Sequence, residues 1–397
     1  MKKALDDLVV LDFTRYIAGP FAAYLLGHLG AYVIKVEKSY IGEDFRMYPP
    51  MYKGESLAYP SYASNKHSLC MDLRNDKAKE LLTKLLPHVD ILIQNFRAGT
   101  IEKMGFGWET VHKINPRLIM ANNSGFGQYG PYSKRVAFDS IIQSEAGLID
   151  TVVEEAGRPY YPGGNNSDHT GALSFVCAIL AALNARDCTG EGQYLEVDMM
   201  SAVSCVQSPA LCLYGASGES MWIHDMAPYG FYPDRDGRYI QISCPDRFWE
   251  AFRDTVGIEA LASPSFSTLE ARRANKEALD AFVKEWTSMR TGEEICGALE
   301  ARGIGAAIVR NFRDIVENEH AKASGSFISL DVPHIGPAPY PGVPFDLSAS
   351  SVEYGKVAKI GEDNYEVLHK FLDMSEAEVT ALQKEGVLYQ AEHAVWR

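Results

Sequence analysis

The first third of this chain repeats one pattern: a short, almost wholly apolar run, a helical stretch, then another apolar run. The runs are Leu8-Val9-Val10-Leu11-Asp12-Phe13, Val33-Ile34-Lys35-Val36-Glu37, Ile91-Leu92-Ile93-Gln94-Asn95 and Leu118-Ile119-Met120-Ala121. A half-exposed strand alternates apolar and polar residues, whereas an unbroken apolar run suits a strand covered on both faces. Helical stretches near 20–29 and 77–86 lie between the runs. The rhythm predicts βαβ units: an α/β fold with a parallel sheet and helices on both sides.

Further along, the spacing predicts a long helix over 168–186, with Ala172, Leu173, Val176, Ile179, Leu180 and Leu183 on one face and Cys177 in the core. The turn Thr189-Gly190-Glu191-Gly192-Gln193 leads into a strand at Tyr194-Leu195-Glu196-Val197. From about Asp225 the texture changes. Phe231 to Ile242 reads as a hairpin turning at Asp236-Gly237, and amphipathic helices follow to about Glu319. A Pro- and Gly-rich connector, Pro333 to Pro344, precedes a C-terminal helical region in which Ser375 and Glu378 have capping-box form. The expected division is a large domain over 1–200, a small domain over 225–330 and a C-terminal segment over 331–397.

A net charge of −14 argues against a nucleic-acid surface, which needs clustered Lys and Arg. The N-terminus shows no secretory signal. The longest apolar stretch, Ala172 to Ala185, is too short to span a bilayer and reads as a buried helix. Seven scattered cysteines and ten histidines show no disulfide framework and no metal-ligand spacing. The expectation is a cytoplasmic protein with no metal and no membrane partner.

The opening strand, turn and helix imitate a dinucleotide-binding unit, but the turn Tyr16-Ile17-Ala18-Gly19-Pro20-Phe21 lacks the G-x-G-x-x-G that lets backbone approach a pyrophosphate. More informative is Gly163-Gly164-Asn165-Asn166-Ser167-Asp168-His169. Asp168 reads either as the N-cap of the helix that follows or as a nucleophilic carboxylate. The two readings are compatible, because a helix N-terminus favours the anion and an ionised carboxylate attacks a thioester without a separate base. Backbone N–H groups of the loop could serve an oxyanion, while His169 reads as local packing. Lys38, Arg46, Arg97, Lys103 and Arg135 fall in loops, and Lys38 and Arg97 directly follow strands, where open α/β sheets bind ligands.

Several segments together carry a resemblance: Val10-Leu11-Asp12-Phe13, Ala18-Gly19-Pro20-Phe21, Gly30-Ala31-Tyr32-Val33-Ile34-Lys35-Val36-Glu37, Asn65-Lys66-His67-Ser68, Gln94-Asn95-Phe96-Arg97-Ala98-Gly99, Ser124-Gly125-Phe126-Gly127-Gln128-Tyr129-Gly130-Pro131 and Thr189-Gly190-Glu191-Gly192. In collinear order across nearly the whole chain, these resemble the class III CoA-transferases, which include formyl-CoA:oxalate, carnitine and bile-acid CoA-transferases. The resemblance implies Asp168 as nucleophile, and coenzyme A contacts at Ile17, Ala18, Lys38, Met71, Leu73, Asn95, Phe96, Arg97, Lys103 and Arg135. It implies acyl-CoA and a free carboxylic acid as substrates and no permanently bound cofactor. It also implies a Rossmann-like large domain with a smaller α+β domain, in a homodimer of interlocked rings. Lys38 and Lys103 keep the charge where the family often has Arg; Ile17 lacks the polar side chain sometimes found there. The similar α-methylacyl-CoA racemases use a His and an Asp for proton transfer. That His would fall immediately before Asp139, where this chain has Phe138. A non-catalytic CoA- or nucleotide-binding protein is the remaining alternative. Ser243 to Arg247 is the expected mobile loop, and Tyr48, Tyr59, Tyr62, Tyr160 and Trp222 would suit an apolar acyl group.

Overall fold

The structure is a computed structural model that describes residues 3–152, 158–218 and 225–394, so Trp222 lies outside the described residues. The chain divides into two units, one of residues 1–218 with 325–397 and one of residues 219–324.

The larger unit is built on a six-stranded, all-parallel sheet. Its strands are β1 (Val9–Asp12), β2 (Tyr32–Lys38), β3 (His67–Met71), β4 (Ile91–Gln94), β5 (Ile119–Ser124) and β6 (Tyr194–Asp198). Their order is β3-β2-β1-β4-β5-β6. Four of the apolar runs become central strands, as their lack of alternation implies. Successive side chains point to opposite faces. Val10 therefore enters a core with α1 (Ala18–His28), while Leu11 enters a second core with α2 (Asp76–Leu85). The strand β3 begins with His67 and Ser68, which break the apolar signal, and so it has no counterpart among the predicted strands.

Among the other helices of this unit are α3 (Asp139–Glu145), α4 (Asn166–Thr189), α5 (Met199–Val206), α6 (Ser208–Ser217), α7 (Asn364–Leu372) and α8 (Glu376–Lys384). The C-terminal segment returns to the sheet edge. Asp363 accepts the Ser68 N–H at 2.8 Å and Asn364 accepts the Cys70 N–H at 2.9 Å, which closes hydrogen-bonding groups that an edge strand leaves open. The Ser375–Glu378 capping box forms at the start of α8. The Thr-Gly-x-Gly turn is required twice over. Gly190 caps α4 at φ +82°, and a Cβ on Gly192 would sit 2.1 Å from the Leu118 carbonyl.

Helix α4 corrects three expectations. It buries Ala172, Phe175, Val176, Ile179, Ala182 and Leu183 against the sheet, but Leu173, Cys177 and Leu180 are exposed. These three recur at i, i+4 and i+7 on the face that points away from the sheet, which is why hydrophobicity alone assigned them wrongly to the core. The helix has 24 residues and a mean hydropathy of 1.3 over its most apolar window, enough by length and composition to resemble a membrane span. Its buried face and polar first turn give it a packing role instead.

The connector Pro333 to Pro344 is also more ordered than composition suggests. Strand β7 (Phe327–Val332) pairs antiparallel with β8 (Gly336–Pro341), turning at Pro333, His334 and Ile335.

The smaller unit holds a three-stranded antiparallel sheet of Met226–Pro233, Tyr239–Pro245 and Gly305–Ile308. The hairpin turns where expected: Gly237 takes φ +82°, and Asp234 accepts the N–H groups of Asp236 and Arg238 at 2.9 and 2.8 Å. Amphipathic helices, including Trp249–Val256, Lys276–Thr287 and Gly292–Glu300, bury Phe252, Val283 and Leu299 against it. Ser243 to Pro245, expected in a mobile loop, end a paired strand. Cys244 is buried, and Asp246 is held by the buried Arg272.

Candidate active site

In this strand order the direction of winding reverses between β1 and β4. Ligands of open α/β sheets bind in the crevice outside the carboxyl ends of strands at such a point. Two loops meet there, and Asn95 joins them: its Oδ1 accepts the Arg15 N–H at 2.8 Å and its Nδ2 donates to the Arg15 carbonyl at 2.8 Å. Beneath the β1 loop lies a fully buried ionic cluster. Asp12 accepts the Thr14 N–H at 2.8 Å and the Lys66 ammonium at 3.1 Å, and pairs with Lys35 at 3.4 Å. Burial alone would raise the Asp12 carboxyl, but Lys35, Lys66 and the hydrogen bonds from Thr14 together outweigh it and hold it below its ordinary value. Removing one partner would strand a buried charge, at a cost of about 3–5 kcal/mol. The cluster holds rigid the turn that carries Tyr16, itself at φ +65°.

Asp168 is not the N-cap of α4. Asn165 occupies that position, and its side chain makes no capping bond. Asp168 is the third residue of the first turn, and two orphan N–H groups of that turn are met from another helix. Asp139, at the start of α3, accepts the N–H groups of Ser167 at 2.7 Å and of Asp168 at 3.2 Å through one oxygen. Its other oxygen lies 2.5 Å from the Tyr161 hydroxyl and 2.6 Å from the Gln143 amide nitrogen. These two N–H groups are therefore engaged and do not serve an oxyanion. Asp139 also acts on Asp168 electrostatically. Burial, with the neighbouring Asp139 charge added, pushes the Asp168 carboxyl up to about 7. His169 turns away: its Nδ1 lies 2.7 Å from the Asn165 carbonyl, and its ring packs edge-on against Phe21.

Asp168 and these loops line one cavity of about 700 Å³, well sized for a small-molecule ligand. Of the residues singled out in the sequence, it brings together Ile17, Ala18, Asn95, Phe96, Arg97, Arg135 and Asp168, and among the aromatics Tyr48. Arg135 pairs with Glu145, and its guanidinium lies over Tyr132 at 4.3 Å. Lys38, Met71, Leu73 and Lys103 do not line this cavity. Lys38 pairs with Asp44, and the side chain of Met71 is fully buried in the sheet core. Arg46 is likewise tied down, bidentate to Glu37 at 2.8 and 2.7 Å. Phe138 faces the same cavity, half-exposed, with its ring edge-on to Tyr16.

Sequence reasoning missed Arg15, Asp139, Tyr161 and Asn123. Asn123, at the end of β5, is fully buried, lines the cavity and leaves both side-chain polar atoms without a protein partner. No spacing rule marks it, because its exposure to the cavity is set by β5 and α4 together.

The chain is similar to known proteins across nearly its whole length. Residues 5–364 match the model of CoA-transferase family III. The chain is 31% identical to a succinyl-CoA–D-citramalate CoA-transferase of Chloroflexus aurantiacus, covering 97% of this chain and 98% of that one. It is 30% identical to a formyl-CoA:oxalate CoA-transferase of Rhodopseudomonas palustris, covering 97% of each. A crystal structure of a CAIB/BAIF family protein from Brucella suis superposes with a TM-score of 0.83 at 31% identity, over 94% of this chain and all of that one.

Proposed function

This chain belongs to CoA-transferase family III, and from that membership we propose that it moves coenzyme A from an acyl-CoA to a free carboxylic acid through covalent intermediates on Asp168. The observation that carries the reading is the setting of Asp168. A carboxylate stands on the first turn of a helix, at the wall of a cavity of about 700 Å³, beside the loops of the sheet's reversal point.

The ionised Asp168 oxygen attacks the donor thioester carbonyl. The C–S bond breaks, giving an acyl–aspartyl anhydride and coenzyme A thiolate. The thiolate attacks the aspartyl carbonyl, releasing the donor acid and leaving an aspartyl-CoA thioester. The acceptor carboxylate then attacks that thioester, and the thiolate returns to the acceptor acyl group of the second anhydride. One thioester replaces another, so the sequence needs no external energy source. The protein must keep water from two hydrolysable intermediates. Asn123 offers an unpaired buried amide to the acyl oxygen, and Arg97 offers a cation to phosphate or carboxylate.

Two copies of the chain, interlocked, are the proposed assembly in a cytoplasmic setting. Support comes from helix α6, which buries none of its residues, and from the apolar exposed residues Leu173, Leu180, Leu211 and Tyr214. The named relatives differ in donor and acceptor. A panel crossing succinyl-CoA and formyl-CoA with mono- and dicarboxylic acceptors should identify the acid pair.

The deciding experiment is Asp168→Ala, which should abolish transfer while the fold and coenzyme A binding persist. Wild-type protein given acyl-CoA alone should accumulate an adduct that hydroxylamine traps on the peptide containing Asp168. Substantial turnover by Asp168→Ala, or an adduct on a cysteine, would sink the proposal.

A further inference from the structure

A second cluster of chemically active side chains lies among residues that do not line the cavity. Glu55, His334 and His393 bring one ligand atom each to within 4.8 Å of one another. The His393 Nδ1 stands 2.8 Å from Glu55 Oε1, and the His334 Nε2 stands 3.9 Å from the same oxygen. The two imidazole rings pack with centroids 4.2 Å apart. Glu392 brings a second carboxylate, 3.8 Å from the His334 Nε2. None of these residues lines the cavity that holds Asp168.

Each of the three lies in or beside a backbone-paired segment. Glu55 sits in the two-residue strand Glu55–Ser56, paired with Met51–Tyr52. His334 occupies the β7–β8 turn at φ +62°, a conformation that a β-carbon disfavours and that Gly or Asn adopts more easily. His393 follows the bridge between Ala391 and Ile360. Three segments far apart in sequence thus converge on one point, with two imidazoles directed at one carboxylate.

We propose that Glu55, His334 and His393 form a binding site for a divalent transition metal of the zinc type. Two imidazole nitrogens with a carboxylate oxygen are a donor set that suits Zn²⁺ and disfavours Mg²⁺ and Ca²⁺, which take oxygen ligands. Bonds of about 2.0–2.2 Å to each donor place tetrahedral ligands roughly 3.3–3.5 Å apart. The separations of the two imidazole nitrogens from Glu55 Oε1, 2.8 and 3.9 Å, bracket that spacing. Glu392 or water would fill the fourth position. Glu55 and Glu392 carry two negative charges, against which Lys359 supplies one cation, 2.6 Å from Glu392. The one negative charge left over favours a cation at this point. The other candidate cluster, His67, Asp363 and Glu366, is already satisfied: Asp363 accepts from Ser68 and Lys356, and Glu366 from Tyr32.

The bound ion would clasp the C-terminal segment and the β7–β8 turn to the hairpin that precedes Tyr59. Its role is conformational, because the site stands apart from the reacting carboxylate.

The test uses the full chain, stripped with a chelator and desalted. Calorimetric titration with Zn²⁺ should give one equivalent per chain. Co²⁺ should give the intense visible bands of a tetrahedral nitrogen–oxygen site, without a thiolate charge-transfer band. His334→Ala and His393→Ala should each weaken Zn²⁺ binding by at least about tenfold, with circular dichroism and the CoA-transfer rate of the stripped protein unchanged. Zn²⁺ should also protect the segment after Ala391 from proteolysis in wild type and not in His334→Ala. Absence of stoichiometric Zn²⁺ binding, binding indifferent to both substitutions, or a thiolate band pointing to cysteine would each overturn the site.

Discussion

Asp139 holds the first turn of the helix that carries Asp168: one of its oxygens accepts the backbone N–H of Asp168 itself, at 3.2 Å, and that of Ser167, at 2.7 Å. One carboxylate thus fixes the backbone of another and raises the affinity of that neighbour for a proton. This positioning has consequences that can be measured.

Transfer should require the ionised Asp168. Because burial and Asp139 push that carboxyl up to about 7, kcat/KM should rise with pH through the neutral range and level off above it. A profile flat from pH 5 to 9 would exclude Asp168 as the ionising group.

The same shift predicts how stability depends on pH. A raised acid holds its proton more tightly when folded, so its contribution is fully present below the ordinary carboxylate range. It is lost as pH rises through about 7. Asp168→Asn removes the charge at nearly constant shape. It should leave stability unchanged near pH 3 and raise it at pH 8, by on the order of 1–2 kcal/mol once partial exposure is allowed for. Thermal melts of both proteins at the two pH values check this.

Asp139→Asn should separate positioning from binding. The amide keeps one acceptor for the N–H groups but loses the charge, so the apparent pKa of the reaction should fall below about 7. Displacement of the first turn should lower kcat roughly ten- to a hundredfold, with the affinity for coenzyme A little changed. A drop in kcat with an unmoved pH profile would mean that Asp139 serves packing alone.

Phe138 faces the cavity where a proton-transferring side chain would be needed for racemase chemistry. Incubation with a 2-methylacyl-CoA in deuterated water should therefore give no α-proton exchange. Rapid exchange seen by mass spectrometry would reassign the reaction.

Arg97 lines the cavity and Lys103 does not. Arg97→Ala should weaken coenzyme A binding about tenfold and reduce its salt dependence, whereas Lys103→Ala should change little. Equal losses from both would place the phosphates along a wider surface than the cavity wall.

The unbroken apolar runs at Val9–Asp12 and Ile91–Gln94 were enough to specify a parallel sheet, because only burial on both faces tolerates them. The turn at Asp236-Gly237 and the capping box at Ser375 were legible for the same reason: each is a local rule, settled within a few residues. Asp168 was legible as a carboxylate at a helix start, and its resemblance to the family's nucleophile pointed further. What stayed hidden depends on which faces meet. Leu173, Cys177 and Leu180 are as apolar as their buried neighbours, and only the side of α4 that lies on the sheet separates the two sets.

The sequence by itself determined the class of fold, the rhythm of its strands and the carboxylate at the head of α4, since periodicity and helix-start chemistry act over a few residues. Tertiary structure alone decided that Asp139 caps that helix, that burial with Asp139 beside it raises the proton affinity of Asp168, that Asn123 faces the cavity unpaired, and that Glu55, His334 and His393 converge. Those relations join residues tens to hundreds of positions apart, and their energies depend on distance and burial, which no local pattern encodes.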